Sequence, residues 1–141
     1  MHAAVMARAS SSDIFIGVAA VADYRVANAA EHKLKKDTGG IPPIELVENP
    51  DILAEVAALP DGPFCVGFAA ESRNLEAYAQ AKRRKKNIPL IAGNLIQDGF
   101  GGDDNRLVLF DDKGTHPLMP APKSELARQL VEHIAYMTGK D

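Results

Sequence analysis

The sequence predicts an α/β fold, a three-layer sandwich in which helices cover both faces of a mostly parallel sheet. Short apolar runs rich in β-branched and aromatic residues alternate along the chain with longer stretches of helical periodicity. This alternation is typical of parallel strands joined by crossover helices. A hairpin pattern towards the carboxyl end adds a short antiparallel extension to the sheet. The 141 residues, 46% of them hydrophobic, are enough for a single domain with a substantial core.

The first part of the chain is predicted to hold two helices and two strands. Residues 2–11 have the composition of a helix, and residues 13–18 form a short apolar run that predicts a buried parallel strand. Residues 44–47 alternate as a short strand. Asn49 is expected to cap a helix over 50–59, because a proline suits the first helical turn.

The middle of the chain continues the alternation of strands and helices. Residues 64–68 predict a second buried strand, and small residues follow it. Asn74 is expected to cap a helix that runs over 75–86. Residues 88–93 predict a third strand, in which a proline stands near the beginning, where strands tolerate it.

The last part of the chain predicts a hairpin and a closing helix. Residues 106–110 and 115–118 read as the two arms of a hairpin, after a glycine- and acid-rich loop at 99–105. Residues 123–137 predict an amphipathic helix. Its apolar face consists of Leu126, Leu130, Ile134 and Met137.

Composition argues against several classes of protein. The formal net charge of −3 gives no basic character that would favour a nucleic-acid partner. No apolar run approaches the roughly 20 residues of a membrane span, and the first residues lack a signal-peptide pattern. The single cysteine, Cys65, is expected to be a buried thiol, which permits a reducing, cytoplasmic setting. The histidines show no metal-ligand spacing and are each expected to be surface or loop residues. They are His2, His32, His116 and His133.

A polar cluster follows the first predicted strand and points to a ligand site. Small residues at 19–22 allow a ligand to approach the backbone, and an acid and three lysines follow within 23–36. In open α/β sheets, ligands bind outside the carboxyl ends of the strands. The acid, Asp23, is compatible with a ribose hydroxyl, a metal or an ion pair with Arg25, and a plain solvated loop is the alternative for the lysines.

A second basic group lies at 82–86, near the end of a predicted helix. Lys82 and Lys86 are four residues apart and therefore share one helix face, where a polyanion would relieve their repulsion. The alternative is a solvated basic cap, since the helix dipole favours cations at this end.

Taken in order, these segments resemble bacterial phosphopantothenoylcysteine synthetase, the C-terminal half of the bifunctional coenzyme A biosynthesis flavoprotein (phosphopantothenoylcysteine decarboxylase/phosphopantothenate–cysteine ligase). Each motif alone is weak, but the ordered set covers nearly the whole chain with compatible spacings. The matching segments are 19–25, 33–36, 49–53, 67–71, 82–87 and 104–105.

The resemblance implies a Rossmann-like fold and a CTP-dependent ligase that joins 4′-phosphopantothenate to L-cysteine. The carboxylate of phosphopantothenate attacks the α-phosphorus of CTP, which gives an acyl-cytidylate and pyrophosphate, and the cysteine amine then displaces CMP. Cations and Mg²⁺ are needed because the attack brings two anions together. The resemblance also implies a cytoplasmic homodimer, natively fused to an N-terminal flavoprotein decarboxylase domain that holds FMN.

The resemblance also assigns site residues, although it leaves the metal ligands unknown. Lys33 is the expected catalytic residue, acting from a flap over 29–41 that closes on the site. Ala20 is expected at the acyl intermediate. The implied CTP contacts are Gly17, Val18, Ala19, Asp23, Lys33, Pro50, Asp51, Ile52, Leu53, Phe68, Lys82 and Lys86.

Two alternatives stay open. The family's first strand, glycine turn and asparagine loop have no match in this chain, so one expectation is a CTP-binding, dimerising fragment without turnover. The other is an NAD- or flavin-dependent oxidoreductase on a similar sheet, and the missing Gly-x-Gly-x-x-Gly pattern counts against it. Residues 106–118 are the candidate dimer contact.

Overall fold

Helices and strands alternate along the chain, as its hydrophobic pattern predicts. The computed structural model describes residues 1–33, 43–95 and 104–139, with the backbone alone at 104 and 105. The chain divides into two units, one formed by Met1–Val18 and Ile52–Asp141 and the other by Ala19–Asp51. The described elements, in chain order, are α1 (His2–Ala9), β1 (Ile14–Gly17), β2 (Tyr24–Val26), β3 (Leu46–Glu48), α2 (Ile52–Ala57), β4 (Phe64–Glu71), α3 (Leu75–Lys85), β5 (Leu90–Leu95), β6 (Asp104–Asn105), β7 (Val108–Phe110), β8 (Thr115–Pro117), β9 (Ala121–Pro122) and α4 (Lys123–Thr138).

The larger unit is built on a mixed sheet of five strands in the order β1-β4-β5-β7-β8. β1, β4 and β5 are parallel, whereas β7 runs antiparallel to β5 and forms a hairpin with β8. The register places Gly17 opposite Gly67 and Phe68 opposite Ala92. The predicted α/β sandwich, with its parallel core and short antiparallel hairpin, is therefore confirmed.

Each face of this sheet carries its own apolar layer. On one face Ala9 of α1, Val56 of α2 and Ala79 of α3 pack with Cys65 of β4. On the other face α4 packs Leu130, together with Ile134, against Val66 and Leu90. Neighbouring residues of a strand point to opposite faces, so β4 serves both layers. The predicted burial of Cys65 and the apolar face of α4 are confirmed. Within the described residues, none of the helices is both long and apolar enough to cross a membrane.

The first strand is half-exposed rather than buried. Ile14 and Ile16 of β1 are 38% and 37% exposed. Among the described strands β1 pairs only with β4, so one of its edges has no strand beside it. The sequence predicted the strand and its parallel pairing, but an apolar run does not reveal whether a strand has one neighbour or two.

Of the two predicted helix caps, Asn49 is wrong, and Asn74 is confirmed in its position but not in its hydrogen bonding. Asn49 does not cap α2, which begins at Ile52, and its side-chain amide donates instead to the carbonyl oxygen of Ala22 at 2.7 Å. Asn74 does precede α3, but with φ 49° and ψ 42° and without a side-chain hydrogen bond to the helix. Asparagine adopts this left-handed conformation more readily than most residues, which explains its place at a sharp entry to the helix.

Candidate functional site

Helix α2 packs close to the carboxyl end of β1, over the facing glycines of β1 and β4. A Cβ atom on Gly67 would lie 2.9 Å from Leu53 Cδ2, so any larger residue would require the Leu53 side chain to shift. A Cβ atom on Gly17 would lie 3.7 Å from Leu53 Cδ1, at ordinary contact distance. The structure therefore brings two of the predicted nucleotide residues, Gly17 and Leu53, together. Two adjacent predicted residues differ in exposure: Val18, which follows Gly17, is 62% exposed, and Ile52, which precedes Leu53, is buried.

Phe68 lies on the other face of the sheet from Leu53. Its side chain is half-buried and packs with the layer that includes Val66 and Leu130, whereas Leu53 packs with the opposite layer. Strand alternation imposes this separation, because Gly67 faces Leu53 and Phe68 follows it directly. The ring of Phe68 therefore cannot line the same surface as Leu53, and only its backbone is near that surface.

The basic end of α3 carries an ion pair that the sequence did not reveal. Lys82 Nζ donates to Glu71 Oε1 at 2.6 Å, and the side chains are 48% and 15% exposed. Glu71 is the last residue of β4, so this pair stands at the carboxyl end of a central strand. The two residues border a cavity of about 250 Å³, whose other lining residues are Tyr78, Ala81 and Lys85. Lys86 follows α3 directly, and its backbone N–H donates to the carbonyl oxygen of Lys82 at 3.0 Å.

The smaller unit is a short antiparallel hairpin that holds Asp23 in place through its backbone. β2 and β3 pair Tyr24 with Glu48, and the backbone N–H of Asn49 donates to the carbonyl oxygen of Asp23 at 2.7 Å. Arg25 donates to the carbonyl oxygen of Glu48 at 2.8 Å and to Asn49 Oδ1 at 3.1 Å. The bonds of Arg25 thus tie the two strands together, and they do not support the predicted alternative of an Asp23–Arg25 pair. The side chain of Asp23 is exposed.

The other predicted residues of the smaller unit are exposed as well. Ala19, Ala20 and Lys33 have exposed side chains, as have Pro50 and Asp51, which lead into α2. The greater part of the predicted flap over 29–41, with its second and third lysines, lies outside the described residues.

Asp111, His116 and His133 form a cluster that contradicts the expectation of unrelated surface histidines. His116 Nε2 lies 2.9 Å from Asp111 Oδ1, and His133 Nε2 lies 3.4 Å from Asp111 Oδ2. The three residues come from the end of β7, from β8 and from α4, so their distances along the sequence gave no ligand motif. Asp111 is 2% exposed, and burial alone would raise its pKa. Hydrogen bonds from His116 and from the backbone N–H groups of Lys113 and Gly114 outweigh burial and lower the pKa of Asp111.

Comparison with known proteins links the chain to one family over almost its full length. Residues 1–137 match the family described as DNA/pantothenate metabolism flavoprotein C-terminal domain. The coenzyme A biosynthesis bifunctional protein CoaBC of Escherichia coli K12 is 47% identical over 137 residues, covering 93% of this chain and 34% of that protein. The chain thus spans about a third of the length of the curated relatives it matches.

Two solved structures share the fold. The crystal structure of the C-terminal domain of CoaBC has a TM-score of 0.76 at 31% identity, and the match covers 99% of this chain and 61% of that one. A Cab2 mutant in complex with phosphopantothenate-cysteine has a TM-score of 0.64 at 18% identity, with 89% and 46% of the two chains covered. The second likeness concerns the fold alone.

Proposed function

Because the chain belongs to the DNA/pantothenate metabolism flavoprotein C-terminal domain family, we propose that it is a CTP-dependent phosphopantothenate–cysteine ligase domain of coenzyme A biosynthesis. The observation that carries this proposal is the 47% identity to a coenzyme A biosynthesis protein over 93% of the chain. The substrates are 4′-phosphopantothenate, L-cysteine and CTP. The product is 4′-phosphopantothenoylcysteine, formed through an acyl-cytidylate.

The reaction proceeds in two substitutions. A carboxylate oxygen of phosphopantothenate attacks the α-phosphorus of CTP, the bond to the β-phosphate oxygen breaks, and pyrophosphate leaves with the electron pair. The amine of cysteine then attacks the acyl carbon, CMP leaves with the electrons of the acyl–oxygen bond, and the amine loses a proton. The first step gathers several negative charges, so the protein has to supply fixed positive charge around the phosphates.

Lys82 and Lys86 are the proposed contacts to the triphosphate. Their spacing of four residues is that of one helix face, and Lys82 pairs with Glu71 at the carboxyl end of β4. Lys82 reaches the solvent and now pairs with Glu71, so the triphosphate would exchange one anionic partner of Lys82 for another. The other proposed CTP contacts in the larger unit are the backbone at Gly17, Val18 and Phe68, together with Ile52 and Leu53. The small residues and the close approach at Gly17 suit binding through the backbone.

Lys33 is the proposed catalytic residue of the smaller unit. Its side chain is exposed, and a lysine on a closing flap can move to the developing charge. In the same unit Ala19, Asp23, Pro50 and Asp51 are proposed CTP contacts. Ala20 is the proposed contact to the acyl intermediate.

Mg²⁺ is the proposed companion of the triphosphate. This ion prefers phosphate, carboxylate and water oxygens and is usually held by one or two protein carboxylates in addition to the phosphates. Asp23 offers an exposed carboxylate of the right chemistry. When bound, the ion neutralises charge on the triphosphate and polarises the attacked phosphorus.

The proposed setting is a cytoplasmic homodimer whose native form is fused to a flavoprotein decarboxylase domain that carries FMN. The name of the bifunctional relatives supports a second activity in the same polypeptide. The segment 106–118, which contains β7 and β8, is the proposed part of the dimer contact. Sedimentation equilibrium of the chain tests the dimer directly, and a monomer at all concentrations would refute it.

The decisive experiment measures binding and turnover separately. Isothermal titration with CTP and with NAD reports on the nucleotide, and pyrophosphate release with phosphopantothenate and CTP reports on the first chemical step. If the chain is a ligase domain, it should bind CTP and release pyrophosphate. CTP binding without pyrophosphate release would identify a CTP-binding domain without turnover. NAD binding without CTP binding would refute the proposal in favour of an oxidoreductase.

A lysine variant then tests the assigned role. Lys33→Gln should lower pyrophosphate release by about a hundredfold or more, because one charge that stabilises the transition state is lost. Lys123→Gln is the matched control, since Lys123 is an exposed lysine at the start of α4, and it should leave turnover unchanged. Loss of the folded state in Lys33→Gln, seen by circular dichroism, would contradict a purely functional role.

A further inference from the structure

We propose that Asp111, His116 and His133 form a binding site for a transition-metal ion, with Zn²⁺ as the best-suited metal. One ligand atom from each residue lies within 4.8 Å of the other two. The set combines two imidazole nitrogens with a carboxylate oxygen, which is a common set of ligands in protein zinc sites. The inference does not rest on the proposed ligase activity, because none of these residues is assigned to the nucleotide or the substrates.

The carboxylate of Asp111 is already held in a fixed orientation. Its Oδ1 atom accepts hydrogen bonds from the backbone N–H groups of Lys113 at 2.8 Å and of Gly114 at 2.9 Å. These two bonds belong to the turn between β7 and β8, so the orientation of the carboxylate is set by the hairpin itself. Its other oxygen, Oδ2, is directed towards His133. This arrangement leaves Oδ2 as the metal ligand and Oδ1 as the atom that orients it, which is how ligating carboxylates are typically supported.

The ring of His133 provides the observation that points to a missing partner. Its Nε2 atom is buried and makes no hydrogen bond to any described residue, and the 3.4 Å to Asp111 Oδ2 lies beyond a well-formed bond. An unpaired buried nitrogen is unfavourable, and buried polar atoms normally have a partner. A metal ion bound to Nε2 would provide that partner, and Oδ2 lies close enough to share the ion.

One distance between ligand atoms already matches that of a tetrahedral site. Zinc bonds of about 2.0–2.2 Å place neighbouring ligand atoms about 3.3 Å apart. The observed 3.4 Å between His133 Nε2 and Asp111 Oδ2 matches this value. His116 Nε2, at 2.9 Å from Oδ1, has to turn away from that oxygen towards the ion. The side chain of His116 is 36% exposed and is able to turn, and its exposure opens a path for the ion and for a water molecule as fourth ligand.

The charge and the rings around the cluster are compatible with a bound cation. Lys113 lies on the same turn, and its Nζ is 5.1 Å from the centre of the Tyr136 ring, where the aromatic face offsets part of its charge. The rings of His116 and His133 lie next to each other, with their centres 4.9 Å apart. The two imidazoles favour Zn²⁺ over Mg²⁺, which prefers oxygen ligands in an octahedral arrangement. Zinc is thus expected to bind here even when Mg²⁺ is present in excess.

The test is a Zn²⁺ titration of the tag-free chain after removal of metals with EDTA. Isothermal titration with excess Mg²⁺ in the buffer should show one Zn²⁺ per chain, and Zn²⁺ should raise the thermal unfolding temperature. Co²⁺ in place of Zn²⁺ should give the intense visible absorption of a tetrahedral site. His133→Ala and His116→Ala should each weaken Zn²⁺ binding by at least about tenfold.

His2→Ala and His32→Ala are the controls, because both histidines lie outside the cluster and their loss should leave the affinity unchanged. His32 is exposed, and His2 is half-buried and pairs with Glu55 at 2.7 Å. If His133→Ala fails to fold by circular dichroism, the variant His116→Ala decides the question, because the side chain of His116 is more exposed than that of His133. The proposal is overturned if the chain binds no Zn²⁺ in stoichiometric amount, since the cluster would then be a hydrogen-bonded network only. It is equally overturned if the cluster variants bind Zn²⁺ as tightly as the controls do.

Discussion

Replacing Gly67 by alanine should destabilise the fold, whereas the same change at Gly17 should not. The two glycines face each other across β1 and β4, so they provide a matched pair. A Cβ atom on Gly67 would lie 2.9 Å from Leu53 Cδ2, 2.9 Å from Ile88 Cδ1 and 3.1 Å from Ile91 Cγ1. A Cβ atom on Gly17 would find its nearest neighbours at 3.6 Å and 3.7 Å, at ordinary contact distance.

The magnitude follows from these distances. Carbon atoms in contact prefer about 3.5–4.0 Å, so three side chains around Gly67 have to shift by about 0.5–1 Å. Overpacking of this kind typically destabilises by about 1–3 kcal/mol. Alanine returns about 0.5–1 kcal/mol through its lower chain entropy in the unfolded state. Gly67→Ala should therefore lower the free energy of unfolding by up to about 2.5 kcal/mol, whereas Gly17→Ala, which has the entropy gain without the overpacking, should leave it unchanged or raise it by up to about 1 kcal/mol.

Urea denaturation followed by circular dichroism measures both variants without nucleotide. A second change checks the cause, because Leu53→Val removes the δ-carbon that meets the new Cβ. The double variant Gly67→Ala/Leu53→Val should then be more stable than the sum of the single effects predicts, by about 0.5–1 kcal/mol. Equal destabilisation at Gly17 and Gly67, or strict additivity in the double variant, would refute the reasoning.

Three further predictions concern charge and titration. Glu71→Gln removes the carboxylate that pairs with Lys82 at 2.6 Å, so titration calorimetry should show that CTP binds up to about fivefold more tightly. The gain is small because the Lys82 side chain is 48% exposed. Weaker CTP binding would contradict the role of Lys82. Burial raises the pKa of the Cys65 thiol, so Ellman's reagent should modify it only after urea is added; rapid reaction of the native protein would contradict its burial. The lowered pKa of Asp111 implies that its carboxylate contributes stability above the unfolded pKa of about 3.9, and that this contribution is lost as the pH falls through the lower folded value. With EDTA present, the loss of stability in Asp111→Asn should therefore shrink between about pH 5 and about pH 2 in urea denaturation, and a constant loss would show that the charge of Asp111 is not responsible.

Local patterns predicted the elements of the fold well, because their signals lie within a few neighbouring residues. The spacing of Leu126, Leu130 and Ile134 indicated the buried face of α4, and all three are buried. A hairpin with arms at 106–110 and 115–118 was predicted around the turn at 111–114, and β7 and β8 confirm it with slightly shorter arms. β2 was not predicted, because its three residues were interpreted as part of the polar cluster that follows the first strand.

Contacts between distant residues were beyond the reach of the sequence alone. Asn49 has the side chain of a helix cap, but in the hairpin its amide donates to the carbonyl oxygen of Ala22 and its Oδ1 accepts a hydrogen bond from Arg25. Both polar ends of the side chain are therefore used within the hairpin. Asp111 and His133 are separated by most of α4, so no ligand spacing could reveal their approach. Only the packing of α4 against the sheet sets that distance.

The glycine pair joins the fold of the larger unit to its proposed function. Leu53 lies over both glycines, with Cδ2 near the Cβ position of Gly67 and Cδ1 near that of Gly17. The packing that stabilises the core therefore also sets the distance of α2 from the end of β1. The proposed CTP contacts at Gly17 and Leu53 are thus positioned by the core itself and do not depend on a flexible loop. A side chain at Gly67 disturbs this arrangement from the buried side. The close approach of α2 therefore explains the glycine at position 67, whereas at Gly17 the same approach leaves room for a Cβ atom. If the proposed CTP contacts are correct, packing at Gly67 and ligand binding at Gly17 depend on the same helix position.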